Sequence, residues 1–165
     1  MRKLLTYPAG PLKEKSRPVE DPEKYEDLVR EMKKIITEHR GVGLAACQVG
    51  ENVRLFLMRT GDEETEVYEA YFNPRIVEKT DMETMEESCL SFPEVSVEVK
   101  RASKVTFEAQ DSAGDQVEET VEGLQAQCVQ HEIDHLDGVT LIDYCSLSEK
   151  IEMDKKIKEN DETSG

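Results

Sequence analysis

Two histidines four residues apart, with a glutamate directly after the first, are the residues in this chain best suited to do chemistry: His131-Glu132-Ile133-Asp134-His135. On an α-helix each residue advances roughly 100°, so positions four apart differ by about 40° and both imidazoles can reach one metal ion. Glu132 is rotated away from that line. It can hold a water at the ion without being a ligand, which is the placement a general base needs. The bland alternative is a pair of surface histidines on a polar helix. With three histidines in the chain, chance seldom produces the full pattern.

A metal needs a third protein ligand, and the sequence offers a choice. A protease of the H-E-x-x-H-x-x-G-x-x-H type would supply a third histidine, but although Gly138 fits, position 141 is Leu141, and that class fails. A thermolysin-like protease would take a glutamate from a following helix, formally Glu152 or Glu159. A thiolate is the third option, and Cys89 in Glu87-Ser88-Cys89-Leu90-Ser91 is the best placed by its neighbours. Cys128, one turn before His131, is its rival, although free cysteine commonly packs in cores, and that reading holds for Cys128 and Cys145. One thiolate and two imidazoles with an open position read as catalytic zinc on ligand chemistry alone.

These residues need elements to position them. Leu124, Cys128, His131 and His135 are spaced four, three and four apart, which predicts one face of a helix from just after Gly123 to about Leu136. An earlier helix is signalled by Asp21 as cap, Pro22 at the first position, and Tyr25, Leu28, Met32, Ile35 and Ile36 at helical spacing. It is expected to stop near Arg40 with Gly41 as its C-terminal signal. Val53 to Met58 reads as a buried strand, and residues 66–71 and 75–78 as weaker strands around Asn73-Pro74. Val95, Val97 and Val99, then Val105, Phe107 and Ala109, alternate with polar residues, and residues 116–121 return after a turn at 112–115. Ser146-Leu147-Ser148-Glu149 is a capping box opening a polar helix to about Lys158, and residues 160–165 read as a frayed tail. The expected class is α+β: mixed or antiparallel sheets around a central metal-binding helix, with an N-terminal helix and a short C-terminal one.

Composition bounds the rest. At 165 residues the chain is long enough for one domain with its own core. Its 37 acidic and 21 basic side chains give a net charge of -16, which argues against coating nucleic acid. No apolar run approaches a membrane span, and Met1 to Pro8 holds no stretch long enough for a secretory leader. Cys47, Cys89, Cys128 and Cys145 are therefore expected as free thiols in the cytoplasm, or in an organelle if a transit peptide has been trimmed.

Three segments, in matching order and spacing, resemble one family. Gly41-Val42-Gly43-Leu44-Ala45-Ala46-Cys47-Gln48-Val49-Gly50 is similar to the G-x-G-L-A-A-x-Q-x-G motif of peptide deformylases. Residues 87–91 resemble their E-G-C-L-S, and Gln130 to Gly138 their Q-H-E-x-D-H-L-x-G. The resemblance reaches Tyr144. It implies a catalytic domain over residues 1–145, followed by the helix at 146–159 and a flexible tail. It also implies hydrolysis of the formyl group from the initiator methionine of new polypeptides.

Cys89, His131 and His135 would then bind the metal, with water or hydroxide in the fourth position. Glu132 would be general base and then acid, and Gln48 (side-chain amide) and Leu90 (backbone N–H) would stabilise the oxyanion. The resemblance implies Fe(II) as the working ion, with nickel, cobalt or zinc able to take its place.

Gly41 and Gly43 would let an extended peptide approach closely, and Val42, Met85, Leu124 and Cys128 match positions lining the methionine pocket. Core packing would explain those four equally well. Ser88 stands where the family has glycine, and Gln127 where an aliphatic residue is expected; both bear on the shape of the groove. Glu87, tied to Arg101, would orient a ligating histidine.

The implied partners are formyl-methionyl chains, with the ribosome near its tunnel exit as a docking site. Lys150, Lys155, Lys156 and Lys158 are offset there by Glu149, Glu152, Asp154 and Glu159. A monomer with no membrane association and no sequence-specific nucleic-acid binding is expected. The competing readings are a zinc endopeptidase using Glu152 and an inactive binding module stabilised by metal.

Overall fold

Leu55–Arg59 (β2) is buried on both faces through Met58, and this strand decides the layering of the molecule. Successive strand side chains point to opposite sides. Leu55 and Leu57 accordingly enter one core cluster, and Phe56 and Met58 another. A strand of this kind needs a cover on each face, and two helices provide it. The computed structural model describes residues 2–61, 64 and 66–164. In it, Glu26–Glu38 (α1) sets Met32, Ile35 and Ile36 against Leu55, Leu57 and Phe72. Gly123–Leu136 (α2) sets Ala126, Val129, Ile133 and Leu136 against Phe56, Met58 and Phe107.

The sheet is completed by Gly43–Ala45 (β1), Tyr68–Cys89 (β3), Phe92–Gln110 (β4) and Gln116–Glu122 (β5), in the spatial order β1-β2-β3-β4-β5. Every strand pair is antiparallel. The isolated Arg17–Val53 bridge is the one parallel pairing among the described residues. This is the α+β arrangement anticipated above, with a single antiparallel sheet and α2 lying across it.

The long strands differ from the short ones read in the sequence. The segments around Asn73-Pro74 fuse and run on to Cys89, making β3 22 residues long. A register shift between Phe72 and Arg75 absorbs the proline, and Asn73 turns to φ 50. Its side chain exchanges two 2.8 Å hydrogen bonds with the Val19 backbone, accepting from N–H and donating to C=O. Beyond residue 72, β3 loses β2 as a neighbour and pairs with β4 alone. Its outer half is an arm with one free edge, turning at Leu90-Ser91.

The helix ends also differ in detail. Asp21 does cap, accepting from the Glu23 N–H at 3.2 Å, but Pro22–Tyr25 forms a 3-10 turn before α1 begins. The stop is made by Arg40 rather than Gly41: Arg40 carries φ 54. Its N–H bonds Thr37 O at 3.2 Å and the Gly41 N–H bonds Ile36 O at 3.0 Å, a Schellman closure. The capping box at Ser146 and Glu149 forms in both directions. The last helix, Leu147–Ser164 (α3), continues past the end expected near residue 159, so residues 160–164 are helical and only Gly165 of the expected tail lies outside the described residues.

A non-glycine residue in the left-handed region costs roughly 1 kcal/mol. Arg40→Gly should therefore raise stability by about 0.5–1 kcal/mol, net of the added chain entropy, and Arg40→Ala should not. Urea unfolding midpoints compare the three proteins directly.

Candidate metal centre

The rotation of α2 about its axis is set by Gln130. Its amide donates to Ala102 O and Ala126 O and accepts from the Ala102 N–H, all at 2.9 Å. With this buried side chain fully satisfied against β4, the helix face holding Leu124, Cys128, His131 and His135 turns toward β1 and the tip of the arm. His131 Nε2 and His135 Nε2 lie 3.1 Å apart, and His135 Nε2 lies 3.3 Å from Cys89 Sγ.

The three donor atoms fall within 4.8 Å of one another, and they form the one such group of His, Cys, Asp or Glu among the described residues. One thiol sulfur and two imidazole nitrogens converging on one point are the donor set of a tetrahedral metal site with an open position, so they fit one metal ion. Burial also drives the His135 imidazole toward its neutral form, the form that ligates.

The other ligand candidates fall away on position. Glu152 and Glu159 are exposed on α3 and outside the cluster, which removes the basis for the glutamate-ligated endopeptidase. Cys128 lines the adjoining cavity without joining the cluster. Cys145 packs beside Phe92 and Leu141. All four cysteines are free thiols.

Glu132 is buried, and its Oε1 has no hydrogen-bond partner in the protein, which leaves that acceptor for a group entering the cavity. Burial pushes its carboxyl up to about 7. Gly43 makes room for it: a Cβ there would meet Cys128 Sγ and come within 2.6 Å of Glu132 Oε2. Gly138, closing the same motif, has φ 77 and abuts the Lys13 carbonyl so closely that a Cβ would lie 2.8 Å from its oxygen.

His131 is held from behind. Glu87 Oε2 lies 3.1 Å from His131 Nδ1, and Arg101 grips the same carboxylate through Nε at 3.1 Å and Nη2 at 2.7 Å. Burial disfavours charge on Glu87, but His131 and Arg101 outweigh it and hold the carboxyl down at about 2. The pairing of Glu87 with Arg101 is the one suggested by the sequence. The chain of contacts extends further than that reading: Arg101 Nη1 donates to Asp134 Oδ2 at 2.6 Å, and the Tyr144 hydroxyl donates to the same oxygen at 2.5 Å. Asp134 lies inside the H-E-x-D-H motif, which was the available signal for it.

Gln48 is fixed at both ends of its amide. Oε1 accepts from the Ala45 N–H at 2.9 Å, while Nε2 donates to Ser91 Oγ at 3.1 Å and points at Cys89 Sγ from 3.6 Å. Ser91, given no role in the sequence reading, donates in turn to Leu5 O at 2.7 Å. The N-terminal segment thereby braces the site.

A cavity of about 1000 Å³ opens above these groups, with Gln48, Leu90 and Glu132 in its wall. Of the expected groove residues, Gly41, Val42, Gly43, Ser88, Leu124 and Cys128 line it. Met85 does not: it pairs with Val99 farther out along the arm. The wall of the cavity closes one residue later at Glu86, whose carbonyl accepts from Gln127 Nε2 at 3.0 Å. Ser88 brings no backbone strain, since among the described residues the non-glycine ones with positive φ are Arg40, Asn73 and Asp81.

Outer carboxylates that orient a ligating histidine typically contribute 10–100-fold in metal affinity. Glu87→Gln should weaken metal binding by about that factor while the fold is kept, as read by competition with a chelator.

The comparisons with known proteins agree over nearly the whole chain. Residues 1–151 match the family model described as Polypeptide deformylase. A peptide deformylase of Phenylobacterium zucineum is 39% identical, covering 97% of this chain and 96% of its own. One of Maricaulis maris is 37% identical over 96% and 92%. The crystal structure of a peptide deformylase from Legionella pneumophila superposes with a TM-score of 0.93 at 35% identity, covering 99% of this chain and 97% of that one. Enzymes of this family remove N-terminal formyl groups with a catalytic metal. On this evidence the chain belongs to the polypeptide deformylase family.

Proposed function

We propose that the chain carries out this deformylation with one divalent ion held by Cys89 Sγ, His131 Nε2 and His135 Nε2, and with Glu132 as the proton carrier. The observation that carries the reading is the convergence of a half-buried thiol and two buried imidazoles beside a buried carboxylate whose Oε1 is unpartnered. When bound, the ion supplies Lewis acidity and makes water acidic enough to attack at neutral pH.

Glu132 accepts the proton that the attacking water gives up as its oxygen bonds the formyl carbon. It returns a proton to the nitrogen as the C–N bond breaks, so formate and a free methionyl amine leave. A carboxyl pushed up to about 7 suits both halves of this exchange near neutral pH. The charge that develops on the formyl oxygen is met by the Gln48 amide and the Leu90 backbone N–H. Gln48 is held in advance by Ala45 and Ser91, so it need not reorganise as the charge forms.

The peptide lies extended between Gly41–Gly43 and the free edge of β3 at Glu86–Ser88, added as a strand. Its methionine side chain enters the apolar slot at Val42, Leu124 and Cys128, with Gln127 at one wall. Fe(II) is the working ion in this reading; zinc, nickel and cobalt fit the same donors. The substrates are newly made formyl-methionyl chains, and a monomer working in the cytoplasm fits their supply. Among the described residues no helix is long and apolar enough to cross a membrane. With six acidic side chains against four lysines, α3 has no net pull toward ribosomal RNA.

The test uses protein purified and loaded without oxygen. Glu132→Gln should keep the metal and lose about 10²–10⁴-fold in kcat on a formyl-methionyl peptide. Full activity in that variant, or proteolysis of an unformylated protein without deformylation by the parent, would overturn the reading.

A further inference from the structure

The groove lining includes two cations with no carboxylate partner among the described residues. Lys3, from the N-terminal segment, and His39-Arg40, at the end of α1, line the same cavity as Cys89 and Glu132. Lys3 and Arg40 have no carboxylate partner among the described residues, in a chain whose acidic side chains outnumber its basic ones by 37 to 21. Arg2, Arg30, Arg54, Arg75 and Arg101 are engaged with acidic groups, and of the arginines without an ion pair among the described residues (Arg17, Arg40 and Arg59) only Arg40 lines the cavity. Of the anions in the cavity wall, Glu87 is paired with Arg101 and Glu132 is buried, while exposed Glu86, on the β3 side, accepts from Ser96 Oγ at 2.8 Å and keeps its charge. Arg40 is also held at φ 54, where glycine would sit without strain. A strained residue kept at the edge of a ligand groove, with its charge unpaired, points to a role there.

The chemistry of the substrate says what that role is. Formylation removes the positive charge of the N-terminus, so the first residue offers the rim nothing ionic. Charge recognition has to come from side chains after the methionine. We propose that Arg40, with Lys3, is a specificity determinant favouring formyl-methionyl chains that carry aspartate or glutamate within the first few residues after methionine. The inference rests on the deformylase reading and adds a substrate preference to it. The net charge of -16 opposes acidic peptides at a distance. Beyond about 8 Å that field is screened at physiological salt, and the rim charges dominate close contact.

The test compares C-terminally amidated formyl-methionyl tetrapeptides with Asp, Asn or Lys at the second, third or fourth position, at 0.1 M ionic strength as a working condition of about one Debye length of 10 Å. Exposed ion pairs of this kind change kcat/KM by about two- to fivefold. At the position nearest the rim the parent should prefer Asp to Asn by that factor and Lys least. The ratio should fall to about one in Arg40→Gly combined with Lys3→Gln, invert in Arg40→Glu, and shrink as salt is added. Arg40→Gly relieves backbone strain, so a folding defect does not confuse the result. A ratio near one at all three positions in the parent, or a preference unchanged in the variants, would overturn the inference while hydrolysis of the Asn peptides leaves the deformylase reading standing. Failure to hydrolyse any formylated peptide would overturn both.

Discussion

Glu87 is buried between a guanidinium and an imidazole, and the rest of the site depends on that arrangement. A carboxylate taken out of water with no partner is strongly destabilising, and removing one member of a buried pair typically costs about 3–5 kcal/mol. Here the partners come from different elements: Glu87 from β3, Arg101 from β4 and His131 from α2. Satisfying one charge therefore locks three elements to one another. Cys89 lies two residues beyond Glu87 on the same strand, and His135 one turn beyond His131 on the same helix. The contact that neutralises the buried charge thus also sets the separation of the donor atoms.

The apolar layers make that arrangement possible without taking part in it. β2, buried on both faces, calls for a helix on each side, and α2 is the helix on the catalytic side. Gln130 fixes its rotation, and Gly43 leaves the space that the Glu132 carboxylate occupies. The Gln48 amide is held in advance, with Ala45 and Ser91 clamping Gln48 and the N-terminal segment clamping Ser91. Such pre-set dipoles need no rearrangement when charge develops in a reaction.

How much of this was legible depended on whether a local pattern carried it. The limits of α2 and the shared face of Leu124, Cys128, His131 and His135 follow from helical spacing, and β2 from an unbroken apolar run. The outer arm of β3 did not, because residues 79–88 are almost all polar and a strand exposed on both faces has no hydrophobic alternation to read. Gly41 was the conventional helix stop, yet the left-handed residue is Arg40 one position earlier, and spacing alone cannot separate neighbours by one residue. Met85 is expected in the pocket because it matches a position of the resembled family, but the arm closes against Gln127 at Glu86 and leaves Met85 outside. Tyr144 joins the Arg101 network only through long-range packing, and the motif that holds Asp134 marks the residue without naming its partner.

The central claim is that one thiolate from the arm and two imidazoles from α2 form a single metal site. X-ray absorption at the metal edge of the zinc-loaded protein tests it most directly. The account predicts one sulfur at about 2.3 Å and two imidazole nitrogens at about 2.0–2.1 Å, with the sulfur signal lost in Cys89→Ala. A shell with no sulfur, a second sulfur from Cys128, or a sulfur that persists in Cys89→Ala would contradict it.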